Sequence, residues 1–105
     1  MAGLSYVLIE EEGMAKYLML GKYSLEAVKG IKAARTKKAV ATLRKFGGRV
    51  NAMYALLGRY DLAFVVDFPG NAAAMQASIA LAKLTGVAFT TSAAMTIEEF
   101  DKLVG

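Results

Sequence analysis

The stretch from Ala55 to Val66 constrains this chain more than any other. It reads Ala-Leu-Leu-Gly-Arg-Tyr-Asp-Leu-Ala-Phe-Val-Val, two apolar runs around Gly58-Arg59-Tyr60-Asp61. Glycine tolerates positive φ and aspartate bonds nearby backbone N–H groups, so the joint reads as the turn of a β-hairpin. The second run, Leu62 to Val66, carries no polar residue. A strand with one wet face alternates, so a strand apolar throughout needs cover on both faces. One cover comes from within the fold. The other is expected from outside it, most simply from a second copy of the chain.

Composition strengthens that expectation. The chain has 105 residues, which predicts one domain, and 56% of them are hydrophobic. Mean hydropathy is +0.40. A small domain has little interior, so this much apolar side chain calls for burial between subunits. No apolar run approaches the roughly 18 residues of a membrane helix, and no membrane partner is expected. There is no Cys and no His. Disulfides and a thiol nucleophile are therefore excluded, and so are the commonest metal ligand and the commonest general base near neutral pH. No metal, no cofactor and no catalytic residue is singled out. The net charge of +4 and pI near 9.4 are compatible with an anionic ligand or nucleic acid without requiring either.

Residues 1–13 form an N-terminal extension. They lack a basic start, and their apolar segment is too short before Glu10-Glu11-Glu12 for a signal peptide, which gives the expectation of a cytoplasmic protein. Leu4, Tyr6, Val7, Leu8 and Ile9 are strand formers expected to pair with a sheet edge or a neighbouring subunit. The domain is placed at residues 14–105.

Along that domain, Tyr17 to Tyr23 predicts the first strand. Ser24 predicts an N-cap, followed by Leu25, Val28 and Ile31 at helical spacing. Val40, Leu43 and Phe46 carry a second helical register. With Gly30 between them, one kinked helix or two consecutive helices fit equally, and Gly47-Gly48 ends the segment. Arg49 to Leu57 and Leu62 to Phe68 predict strands two and three. Asn71 predicts the N-cap of a helix over Ala72 to Leu84, with Met75, Ile79 and Ala82 on one stripe. Val87 to Met95 predicts strand four, and Thr96-Ile97-Glu98-Glu99 predicts a capping box opening a short helix through Leu103. The order β-α-β-β-α-β is that of the ferredoxin-like split βαβ fold, an α+β class. It implies a four-stranded antiparallel sheet with helices on one face. The other face is too apolar for water, and two such faces are expected to meet in a sheet-to-sheet dimer.

The chain resembles the GYD-domain family. The resemblance rests on Ile31-Lys32, on Lys45-Phe46-Gly47-Gly48-Arg49-Val50, on Leu57-Gly58-Arg59-Tyr60-Asp61 and on the ending Thr96-Ile97-Glu98-Glu99-Phe100-Asp101. It covers roughly Ala15 to Val104. It implies the dimeric α/β-barrel arrangement, in which two sheets pack face to face, and it implies little chemistry. The chain departs from the usual pattern in its extension before Met14 and in Ala34-Arg35-Thr36, where a proline often interrupts the first helix.

Six residues are candidates for ligand contact: Lys22, Tyr23, Tyr54, Arg59, Tyr60 and Asp61. A tyrosine hydroxyl and a carboxylate at a sheet end orient a polar ligand. The competing reading is turn chemistry, with glycine for φ, aspartate for capping and the tyrosine ring for packing. Asp67, at the far end of strand three, is considered opposite Lys22 or Tyr23, or as a plain edge charge. Lys29, Lys32, Arg35, Lys37, Lys38, Arg44, Lys45 and Arg49 follow one another without an intervening Asp or Glu. That stripe attracts anions. Base-stacking aromatics are missing from it, so a solvated helix face is favoured over a nucleic-acid site. Tyr17, Tyr23, Tyr54 and Phe89, with Met19 and Met53, are candidates to line a cavity between sheet and partner, and are read in preference as core or dimer interface. Thr90-Thr91-Ser92 supplies hydroxyls facing either a polar pocket or the outside.

Three functions stay open at this level. The first is a small-ligand-binding or assembly module acting as a homo-oligomer. The second is a cofactor-independent enzyme, an isomerase or monooxygenase working through Tyr, Lys and Asp, which is analogy at the level of fold. The third is a regulatory protein associated with nucleic acid through the basic first helix.

Overall fold

The structure is a computed structural model, and it describes residues 13–105. The expectations for the extension through Glu12 lie outside the described residues. The elements in chain order are β1 (Ala15–Tyr23), α1 (Leu25–Lys29), α2 (Ala33–Lys45), β2 (Arg49–Ala55), β3 (Leu62–Phe68), α3 (Asn71–Thr85), β4 (Val87–Ala94) and α4 (Ile97–Val104). The strands form one sheet in the order β2-β3-β1-β4. Every neighbouring pair is antiparallel. This is the ferredoxin-like α+β arrangement. None of the described helices is long and apolar enough to cross a membrane.

Strand alternation divides the sheet into two faces. Tyr17 and Met19 of β1 lie on one face with Phe64, Val66 and Phe68 of β3. They form the buried core with Ala39 and Leu43 of α2 and Ala74, Ala77 and Leu81 of α3. Burying a side chain such as Phe68 or Leu81 contributes about 1.5–3 kcal/mol. The opposite face presents Leu18 and Leu20 of β1, Ala63 and Val65 of β3, and Ala52 of β2, paired across the strands. Thr90 and Ser92 of β4 extend it. Ala63 is 9% exposed, shielded by its neighbours in an inner strand. No described helix lies over this face. The run Leu62 to Val66 is thus apolar on two sides, with an internal cover on one.

Several local expectations change. Of the two arrangements that fit the sequence equally, the segment after Ser24 takes that of two consecutive helices. The Ala27 N–H donates to Ser24 Oγ at 3.0 Å, so the serine caps α1. Leu25, Val28 and Ile31 are exposed while Ala27 is buried. A helix this short buries only one residue, Ala27, which lies against Gly86 at the end of α3. β2 stops at Ala55 rather than Leu57 because the Leu56 N–H turns to Asp61 O at 2.8 Å. Asn71 is the first residue of α3, not its cap. Gly70 is the N-cap and makes no side-chain bond. Asn71 Oδ1 instead accepts the Tyr17 hydroxyl at 2.6 Å. The inward stripe of α3 is Ala74, Ala77 and Leu81, whereas Met75 and Ile79 are 65% and 55% exposed. The smaller residues face the sheet because they let the helix lie close. The capping box of α4 forms as expected: the Glu99 N–H donates to Thr96 Oγ1 at 3.1 Å, and the Thr96 N–H donates to Glu99 Oε1 at 3.0 Å. The Thr96 hydroxyl also donates to Glu99 Oε1 at 3.0 Å, and the two bonds from the Thr96 backbone and hydroxyl hold the Glu99 carboxyl below its ordinary range.

Candidate functional site

The Gly-Arg-Tyr-Asp joint is a clamp between hairpin and sheet. Gly58 has φ +135, a value that side chains rarely adopt. The Asp61 N–H donates to Gly21 O at 2.8 Å. Asp61 Oδ2 accepts the Tyr23 N–H, also at 2.8 Å. Lys22 Nζ donates to Arg59 O at 2.8 Å, and the Arg59 guanidinium sits 5.7 Å from the Tyr60 ring centroid. Arg59 is thereby tied to Lys22, and Asp61 to Gly21 and Tyr23, at the end of β1. The geometry here is that of turn chemistry.

Asp67 faces neither Lys22 nor Tyr23. The register sets it opposite Lys16 and Arg49. Its carboxylate is 3.3 Å from Lys16 Nζ and 3.4 Å from Arg49 Nη2. Partial burial pushes its pKa up. Hydrogen bonds from Asn51 and Lys16 and the charges of Lys16 and Arg49 more than offset that, so the carboxyl is held below its ordinary value. The competing alternative of a plain edge charge is also replaced, since three strands converge on this carboxylate.

The larger opportunity lies between the helices and the sheet. A cleft of about 360 Å³ opens beside the start of α2. Its floor is Met53, Leu62, Phe64, Val87 and Phe89 from the strands, with Leu81 of α3 and Ala39 of α2. Tyr23 and the edge-strand residue Tyr54 border it, and Lys32, Arg35, Thr36 and Thr85 supply its polar groups. Among the described residues no Asp or Glu lines it. Arg35 Nη1 donates to Ala27 O at 2.6 Å, and its guanidinium carbon lies 5.8 Å from the Tyr23 ring centroid. These two contacts hold the cation at the cleft wall. Of the six sequence candidates, Tyr23 borders this cleft, Tyr54 reaches its rim from a position opposite Ala63 on the outer face of the sheet, and Lys22, Arg59, Tyr60 and Asp61 belong to the clamp.

Sequence reasoning missed Arg35 and Lys32 by treating the basic stripe as a uniform outer face. Helical spacing held the signal. Arg35, Ala39 and Leu43 follow at steps of four, and Ala39 and Leu43 are buried. A second hollow, of about 430 Å³, runs between α3 and β4 past Met75, Ile79 and Phe89. Its polar groups already pair with each other: the Tyr17 hydroxyl with Asn71, and Ser78 Oγ with Thr91 Oγ1 at 2.6 Å. Thr91 thus faces inward, while Thr90 and Ser92 are on the outer face.

The fold therefore defines a ferredoxin-like α+β domain with a cationic, apolar-floored cleft. Solved structures share that fold. The leucine response regulatory protein (LrpA) of Mycobacterium tuberculosis aligns with 90% of this chain at 12% identity and a TM-score of 0.52, over 71% of its own length. An AsnC family transcriptional regulator from Agrobacterium tumefaciens aligns with 90% at 14% identity and a TM-score of 0.54, over 69% of its length. A third structure, of a point mutant, matches with a TM-score of 0.55 at 12% identity, and the chain spans 55% of its length. No curated protein matches the chain. The GYD domain family model matches residues 17–104, and the chain belongs to that family.

Proposed function

We propose that this protein is a self-associating domain that binds a small ligand. The sheet face free of described helices supports self-association. Leu18, Leu20, Ala52, Ala63 and Val65 form a continuous apolar strip across three strands, and water is a poor neighbour for it. Asp67 with Lys16 and Arg49 closes one end of the strip. Two such faces stacked about 10 Å apart would bury the strip as a sandwich core. The cleft beside α2 then remains open on the far side of each sheet, as a ligand site with an apolar floor and few polar groups.

The assembly is tested by light scattering. The wild-type chain is expected at twice its monomer mass of 11.2 kDa, or a higher multiple. Leu18→Lys, in the middle of the strip, is expected to give folded monomer by circular dichroism and scattering. A wild-type monomer at micromolar concentration would refute the assembly.

A further inference from the structure

The geometry points to an apolar organic carboxylate as the ligand of the cleft, its anionic end on Arg35. This rests on the ligand-binding reading above and narrows it to one chemical class.

The cleft separates its two kinds of surface. Met53, Phe64, Leu81, Val87 and Phe89 make a floor without charge, and Lys32 and Arg35 stand at the wall. Among the described residues the ion pairs are Lys16–Asp67 and Arg49–Asp67, so neither wall cation is in a salt bridge; their acidic neighbour Glu26 shares the adjoining hollow with them rather than the cleft. Arg35 is also oriented. Its bond to Ala27 O and its place over Tyr23 hold the guanidinium at the wall, and of the five N–H donors a guanidinium carries, those not bonded to Ala27 O are left to take a carboxylate. The first turn of α2 contains no acidic residue and no side-chain cap, which adds to the positive field at the same wall. A neutral apolar molecule would gain from the floor alone. A cation would be repelled by Lys32 and Arg35. An anion with an apolar body satisfies both surfaces. The hollow between α3 and β4 offers no such match, because its hydroxyls and amide are already bonded to one another.

The test is fluorescence titration of the full chain with 2-naphthoate, 2-naphthamide and 2-naphthylmethylammonium. Wild type is expected to bind naphthoate about tenfold more tightly than the amide, the usual scale of one charge-assisted contact, and the ammonium more weakly than either. Arg35→Gln is expected to remove the preference of naphthoate over amide. Arg35→Lys should retain part of it. Lys37→Gln removes the same charge outside the cleft and should leave the preference unchanged. Thr36→Trp, which fills the cleft mouth, should block all three. Thermal melts of each variant verify the fold. Equal binding of acid and amide, insensitive to Arg35→Gln, would overturn the anion assignment while leaving a ligand site. Loss of the preference equally in Lys37→Gln would overturn it too, as a general charge effect. No binding of any probe would overturn the ligand reading itself.

Discussion

At the scale of single residues, the hairpin joint holds the glycine with the largest positive φ among the described residues. Gly58 has φ +135, and a Cβ placed there would meet nothing within 4 Å. Its requirement is therefore purely of the backbone. Gly58→Ala is expected to cost about 1–2 kcal/mol, and Tyr60→Phe much less. Urea midpoints compare the two, and a Gly58→Ala protein as stable as wild type would refute the account. Gly21 has the opposite requirement. A Cβ there would come within 2.9 Å of both Phe89 and Val87, two residues of the cleft floor. The glycine makes room for that floor. The special φ of Gly58 was legible from its setting between apolar runs. The crowding at Gly21 was not, since β1 reads as an ordinary strand until β4 is laid beside it.

At the scale of elements, the strands are joined by charge as well as by backbone bonds. Asp67 links β3 to β1 through Lys16 and to β2 through Arg49. Its pKa is held down in the folded protein, so its contribution is present above the unfolded-state pKa, about 3.9. That contribution is lost as pH falls through the lower, folded value. Asp67→Asn is expected to lower stability at pH 7 by about 1 kcal/mol, since the partners are partly exposed. It should also flatten the loss of stability below about pH 4. Denaturant melts from pH 3 to pH 7 measure both, and an unchanged acid limb in the variant would refute the linkage. Element types and order were legible because apolar period and glycine punctuation agree along most of the chain. Burial was less legible in the helices. Leu25, Val28 and Ile31 have helical spacing yet remain exposed, because α1 spans too few residues to lay a stripe on the sheet. Met75 and Ile79 are larger than Ala74 and Ala77, and close packing of helix on sheet prefers the small pair.

At the scale of the whole molecule, the described elements from β1 to α4 all lie after Met14. A chain beginning at Met14 is expected to fold, with a melting temperature within about 4–8 °C of the full chain, the shift that about 1 kcal/mol produces in a domain of this size. Calorimetry measures it, and a truncated chain without a cooperative transition would show that residues 1–13 belong to the core. The architecture and its open sheet face were legible in the sequence, because an unbroken apolar strand admits few settings. The cleft was legible only in fragments. Tyr23 and Tyr54 stood out as aromatic residues on strands, but the facing of Arg35 depends on where α2 begins. Gly30 left that start undetermined.

β2 meets β3 with a shift of register between Val50 and Ala52, which leaves Asn51 without an opposite residue. Strict alternation would set Val50, Ala52 and Tyr54 on one face. The irregularity instead returns Met53 to the side of Val50 and Phe64, into the cleft floor. Removing that single residue would restore plain alternation while every remaining side chain kept its present side. Relatives one residue shorter at this point can therefore share both surfaces of the sheet, and a gap opposite Asn51 in an alignment would mark a change of curvature rather than a change of interior.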